Sequence, residues 1–368
     1  MSTSALKFSG HEHLRTRLAM SLLSGKALRV DKIRPDDKNP GLRGQFCLPL
    51  CGIVKYAHSI SDYEASLLRL LEKISNGAVI EISYTAGILS GGRIEHDCSA
   101  ARSVGYFLEP VLMLAPFCKK PLELTLRGVT SDDLDLSADV LRTVSLPHLQ
   151  LFGVSDGLEL KIKKRGAMPL GGGEIEFRCP IVKQVTSLNF VDAGRVKRIR
   201  GIAHAVRVSP QFSSRMIDAA RGVLNRYIPD LYLYADVYKG EESGKSPGYG
   251  LTLVAESTTG ALHYAELLST PGATPEDIAQ TAARALLQAI RRGGAVDRDH
   301  QSWCSEDIAR CRMGELSERA IQTLRDIKEF WGTSFKIVAE SPAADGDGEQ
   351  LLVSCFGTGF INSNRTLA

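Results

Sequence analysis

LELKIKKRGAMPLGGGEIEFRC, residues 158–179, reads as two strands closed by a glycine turn. Leu158 to Lys164 and Glu174 to Cys179 alternate apolar and polar side chains, the period of two that a half-buried strand requires. Gly171 to Gly173 can in principle wrap a phosphate with backbone amides. No helix follows them, so a hairpin turn is the simpler reading. Upstream the period lengthens: Ser137 to Phe152 reads as a helix, Pro121 to Arg127 as a strand, and Ala100 to Ala115 as an apolar helix. The same order occurs earlier. A helix from His13 to Ser24 places Leu14, Leu18 and Leu22 on one face and stops at Gly25. A strand (Leu28 to Ile33), a helix (Leu48 to His58, with Pro49 in its first turn) and a strand (Val79 to Thr85) follow. The recurrence, with LTLRG and LKIKKRG closing comparable units, suggests internal duplication. Long Val/Ile runs are missing, so the sheets are not buried on both faces, and a two-layer α/β (α+β) fold follows.

Composition changes near Lys183. Residues 193–207 are rich in Arg and Lys, and Leu231 to Tyr238 (LYLYADVY) is a tyrosine-rich strand. A polar loop, 240–250, leads to the strand Leu251 to Ser257. The best-marked helix comes next, with Thr274 as its cap, Pro275 first, Glu276 and Asp277 at the positive end of its dipole, and Gly293 and Gly294 as its stop. Its apolar face is Ile278, Ala282, Leu286 and Ala289. Before the last strand, Leu351 to Cys355, the residues 343–350 form an acidic loop. At 368 residues the chain can hold a large domain and a smaller one. We divide it into a discontinuous large domain, 1–184 and 286–368, and an inserted small α/β domain, 185–285.

No apolar run is long enough to span a bilayer, and the first residues lack the apolar core of a signal peptide, so no membrane partner is expected. Eight cysteines without CxxC spacing suggest a reducing compartment, and Cys47 with Cys51 has no further ligands nearby. A net charge of +3 does not by itself announce nucleic acid. Gly240-Glu-Glu-Ser-Gly-Lys-Ser246 imitates a P-loop, but too few residues separate its glycines and a strand follows it. Asp132, Asp133 and Asp135 precede a helix, where acids are ordinary. His11 and His13 lack the spacing of a zinc motif, and the other histidines (58, 96, 148, 204, 263 and 300) stand alone. The basic stretches carry more weight. Lys161 and Lys163 fall on one strand face, next to Lys164 and Arg165; Arg195, Lys197, Arg198, Arg200 and Arg207 form a second group. Each can track phosphates or be a solvated face. Arg15, Arg17, Arg43, Arg93 and Arg102 lie near helix ends or loops, where anions commonly bind.

Three motifs in order, Leu14-Arg-Thr-Arg-Leu-Ala-Met-Ser-Leu-Leu-Ser-Gly25, Asn39-Pro-Gly-Leu-Arg-Gly-Gln45 and Arg165-Gly-Ala-Met-Pro-Leu-Gly-Gly-Gly173, resemble the RNA 3′-terminal phosphate cyclase family. The resemblance implies a large domain of three βαβαββ-type repeats interrupted by a smaller α/β domain. Cyclases of this family adenylylate a C-terminal histidine, whose neutral imidazole can attack a phosphorus and leave again. Here no histidine follows His300, the corresponding stretch being Gly314-Glu-Leu-Ser-Glu-Arg-Ala-Ile-Gln-Thr-Leu-Arg-Asp326. The N-terminal segment Ser9-Gly-His-Glu-His13 also departs from the cyclases' glycine-rich one, so cyclase activity is not expected.

Arg312 to Phe330 (RMGELSERAIQTLRDIKEF) and Phe356-Gly-Thr-Gly-Phe-Ile-Asn362 are closer to the family's nucleolar, cyclase-like branch. Between Gln301 and Glu306 the chain runs about ten residues shorter than the helix of that branch. The resemblance implies a pseudoenzyme of the nucleolus that works in small-subunit ribosome biogenesis and rRNA processing. It would be a monomer within the small-subunit processome, binding a large nucleolar GTPase, pre-rRNA and the box C/D snoRNA particle, with no cofactor and no metal. The alternative is an endoribonuclease using Arg325, Asp326 and Lys328, although on a helix 326 points away from the face shared by 325 and 328. The residues expected to meet RNA or anions are Arg15, Arg43, Arg93, Arg102, Lys161, Lys163 and Arg198. A retained anion pocket would hold phosphate near Arg15, Arg43 or Arg102.

Overall fold

Three four-stranded sheets share one strand order: a parallel pair, then two antiparallel neighbours. In a computed structural model, the residues described are 5–31, 61–76, 79–80, 83–85, 88–304, 308–340, 350–357 and 361–362. In the first sheet Leu6–Ser9 runs parallel to Leu28–Asp31, which pairs antiparallel with Ser83–Thr85, and that with Val79–Ile80. In the second, Gly92–Asp97 is parallel to Leu122–Gly128, followed by Gly173–Cys179 and Glu159–Lys164. In the third, Leu188–Phe190 is parallel to Ile308–Met313, followed by Gln350–Cys355 and Phe335–Glu340. Parallel neighbours cannot be joined by a tight turn. Helices Leu14–Ser24 and Val104–Leu114 therefore cross the first two pairs.

In the third sheet the crossover holds a whole additional sheet. Its order is Leu231–Tyr238, Val196–Val206, Gly248–Ser257, Leu262–Leu268. Helices Gln211–Leu224 and Pro275–Arg292 cover one side of it, and Ile199, Ala203, Leu251, Leu253, Met216, Ile278, Ala282 and Leu286 form a core separate from the main one. The joins differ from the division drawn at 185 and 285. Leu188–Phe190 still pairs with Ile308–Met313, and the helix Pro275–Arg292 packs on the additional sheet beyond residue 285, through Leu286, Leu287 and Ile290. That helix begins as its residues require, with Thr274 and Asp277 bonding each other's backbone.

Other expectations shift. Val79 to Thr85 is two short antiparallel strands instead of one. The strand Gly92–Asp97 escapes sequence reading because only Ile94 and His96 turn inward, between Arg93, Glu95 and Asp97. The apolar helix begins at Val104, because the Ser103 hydroxyl accepts from the Gly105 amide. Ser137 to Phe152 contains a π-helical turn, Leu141–Ser145. The expected helix from Leu48 to His58, the residues 39–45 and the loop 343–349 lie outside the described residues.

The P-loop-like segment leads into the strand Gly248–Ser257 and docks on the glycine turn after Arg165. The Gly244 amide donates to the Arg165 carbonyl at 2.6 Å, and the Lys245 amide to the Gly171 carbonyl at 2.8 Å. A Cβ on Gly244 would sit 2.4 Å from the Gly171 oxygen, and one on Gly166 would sit 2.3 Å from the Gly173 nitrogen. Here glycine is required by the close approach of two backbones.

Candidate functional site

A cleft of about 450 Å³ opens between the Asp132–Leu136 loop, the strand Leu262–Leu268, the segment 296–301 and the start of the helix Glu318–Trp331. Eight carboxylates line it, against four arginines among the described residues. Two of these arginines, Arg15 and Arg319, are already engaged, as is the nearby Arg102. Arg15 meets Glu109 at 3.0 Å and Asp135 at 3.1 Å, Arg319 also pairs with Glu109, and Arg102 grips Asp135 through two bonds of 2.6 and 2.7 Å. Arg102 also lies over the rings of Tyr63 and Tyr106. Asp132 ties the loop together by accepting from the amides of Ser103, Leu134 and Asp135. Arg15 and Arg102, each expected near an anion, do meet, but on a buried carboxylate. A phosphate would have to approach them past Asp132, Asp133 and Asp135, so Arg15, Arg102 and Arg319 form an ion-pair network and not an anion pocket. Arg43 lies outside the described residues.

The other expected contacts are scattered. Lys161 pairs with Glu159 at 2.9 Å, Lys163 with Glu176 at 3.3 Å, and Arg198 with Glu256 through two bonds of 2.7 and 2.8 Å. Arg93, strongly exposed, lies 3.8 Å from Glu95. Interleaved acids thus turn the lysine row into an ordinary solvated face. Arg165, grouped with those lysines by sequence, is buried. Burial works against its charge, and the carboxylates of Asp139 (2.6 and 2.8 Å) and Asp236 (2.6 and 3.0 Å) outweigh it. Asp326 faces inward, where Arg17 donates to it at 2.8 Å and Gln322 at 2.8 Å, while Arg325 and Lys328 face solvent. The trio does not converge.

Sequence reading left His148 and His300 standing alone; the structure stacks them, with ring centres 5.0 Å apart. His300 bonds Asp297 at 2.9 Å through Nδ1 and the Ser145 hydroxyl at 2.7 Å through Nε2. This is the bonding order of a nucleophilic triad, yet Ser145 is fully buried and no substrate can reach it. Burial, then the charge of His300, holds His148 down to about 4. For His300 burial is outweighed by Asp297, and its pKa is raised. His148, Asp297 and His300 also offer ligand atoms within 4.8 Å of one another, the one such group among the described residues. Both nitrogens of His300 are occupied, so a metal would have to displace Ser145 or Asp297. The spacing Asp297-x-x-His300 hints at the pair, but nothing in the sequence links it to His148.

The sequence pattern that defines the RNA 3′-terminal phosphate cyclases matches residues 6–51 and 55–337. The chain belongs to the RNA 3′-terminal phosphate cyclase family. The RNA 3′-terminal phosphate cyclase-like protein of Homo sapiens is 45% identical over 390 aligned positions and covers 100% of both chains. A probable protein of the same description from Dictyostelium discoideum is 43% identical over 98% of this chain and 99% of its own. An rRNA processing protein of Schizosaccharomyces pombe is 43% identical over 100% of both. The human alignment runs longer than the chain's 368 residues, so that relative carries residues this chain lacks. The three like-ordered sheets and the additional one are the α/β fold that the family resemblance implied.

Proposed function

We propose that this family member works in pre-rRNA processing as a non-catalytic assembly factor of the small ribosomal subunit. The finer reading places it in the nucleolus, bound to a large GTPase and to the pre-ribosomal particle with its box C/D snoRNA. The full-length likeness to the fission-yeast rRNA processing protein supports the process. One observation supports the loss of catalysis. The last histidine in the sequence is His300, fully buried with both ring nitrogens engaged. A nucleophile must reach a phosphorus atom, and this imidazole cannot. Where the family resemblance puts the nucleophile, Gly314, Glu315 and Arg319 line the cleft.

The test has two arms. Cells depleted of the endogenous copy should accumulate uncleaved small-subunit precursor RNA, and this chain should restore cleavage. Purified protein incubated with radiolabelled ATP and magnesium should carry no covalent AMP. An adenylylated protein would overturn the non-catalytic reading, and failure to restore cleavage would overturn the process. Specific cutting of a pre-rRNA fragment, abolished by Asp326→Ala without loss of fold, would put the endoribonuclease in its place.

A further inference from the structure

Strand alternation divides the additional sheet into an apolar face under its two helices and an opposite face. On the opposite face register places Tyr232 beside Arg200 and Tyr234 beside Ile202. Both tyrosines are largely open to solvent, at 64% and 51%, although large aromatic side chains are normally covered. They stand two residues apart on an edge strand, about 7 Å along it. The guanidinium of Arg200 lies 5.8 Å from the centre of the Tyr232 ring and has no carboxylate partner among the described residues. Its neighbour Arg198 is neutralised by Glu256.

We propose that Tyr232, Tyr234 and Arg200 form a stacking platform for single-stranded RNA. Rings at strand spacing present flat faces to successive unpaired bases, and an arginine free of acids supplies attraction to the backbone. A duplex hides its base faces and does not fit. The inference rests on the pre-rRNA reading and adds the surface that would hold the RNA.

The experiment is fluorescence anisotropy of the full chain with a labelled, unstructured RNA on the order of ten nucleotides long, with duplex RNA as competitor. Tyr232→Ala with Tyr234→Ala should weaken binding at least about tenfold. Tyr232→Phe with Tyr234→Phe should stay within about twofold, since the ring face is kept. Arg200→Gln should lower the salt slope by about one. The thermal midpoint of each variant shows that it folds. Wild-type protein that does not bind the strand would overturn the proposal. So would alanine variants that bind like wild type, or phenylalanine variants that fall as far as the alanine ones. Re-expression in depleted cells separates the two readings. A wild-type chain that fails to restore cleavage sinks the process, whereas unchanged RNA binding by the alanine pair sinks the platform alone.

Discussion

One sheet face in this molecule has two fates. Across it runs a row of paired residues: Tyr232, Arg200, Val254, Tyr264. At one end Tyr232 is open to solvent. At the other Tyr264 is half-buried in the cleft wall, its hydroxyl donating to Asp299 at 2.6 Å and its ring edge-on to His300. The adjacent row repeats the contrast, from exposed Tyr234 through Ile202 and Thr252 to Glu266, which accepts from Thr252. In the third row Asp236 and His204 approach Arg165. The segment around Asp299 and His300, together with Arg165, has matched the polar groups into pairs on one half and left rings and a guanidinium available on the other. The number of arginines in a region is thus a poor guide to anion binding. What each arginine already holds decides it.

The contrast breaks most severely at Arg165. Arg165→Met leaves Asp139, held down to about 2, buried without its main partner. The expected cost is about 3 to 5 kcal/mol in urea unfolding. Adding Asp139→Asn should recover part of it, because the stranded charge is then gone. A single-variant loss below about 1 kcal/mol would mean that this junction is not a closed network.

Glu266 gives the next effect, and its sign is distinctive. Burial, assisted by the charge of Asp139, pushes its carboxyl from 4.5 up to about 7. Between those values the folded state holds a proton that the unfolded chain has released. Its contribution to stability is therefore present below pH 4.5 and is lost as the pH rises through about 7. Glu266→Gln cannot ionise and should stabilise the protein at pH 8, by on the order of 2 kcal/mol, while changing little at pH 4.5. Equal effects at both pH values would show that Glu266 ionises as freely as an exposed acid.

How much of this was legible depends on where the deciding partner sits. The hairpin at 158–179 and the capped helix Pro275–Arg292 are local, and their residues announce them. The common strand order of the three sheets came from the family resemblance, since the units share little sequence. Arg165 closes a run of lysines and reads as a fourth surface cation. The carboxylates that bury it lie 26 and 71 positions away. The same holds for Asp326, whose partner Arg17 is 309 positions distant, and for His148 beneath His300. Short-range pattern specifies elements, whereas the burial of a charge is a property of pairings the pattern does not contain.

The smallest effect sharpens the comparison most, because it calls for near silence. Tyr232 and Tyr234 keep more than half of their surface in solvent, so Tyr232→Ala with Tyr234→Ala should move the unfolding free energy by no more than about 1 kcal/mol. Leu233 lies between them and turns to the opposite face, where it is 7% exposed within the apolar core. Leu233→Ala removes the same kind of bulk from the same strand and should cost about 2 kcal/mol or more. A tyrosine pair as costly as Leu233 would mean that both faces of this strand serve the fold. A silent pair beside a costly leucine would leave the exposed rings without a structural reason to be there, so that their use would have to be sought in what they bind.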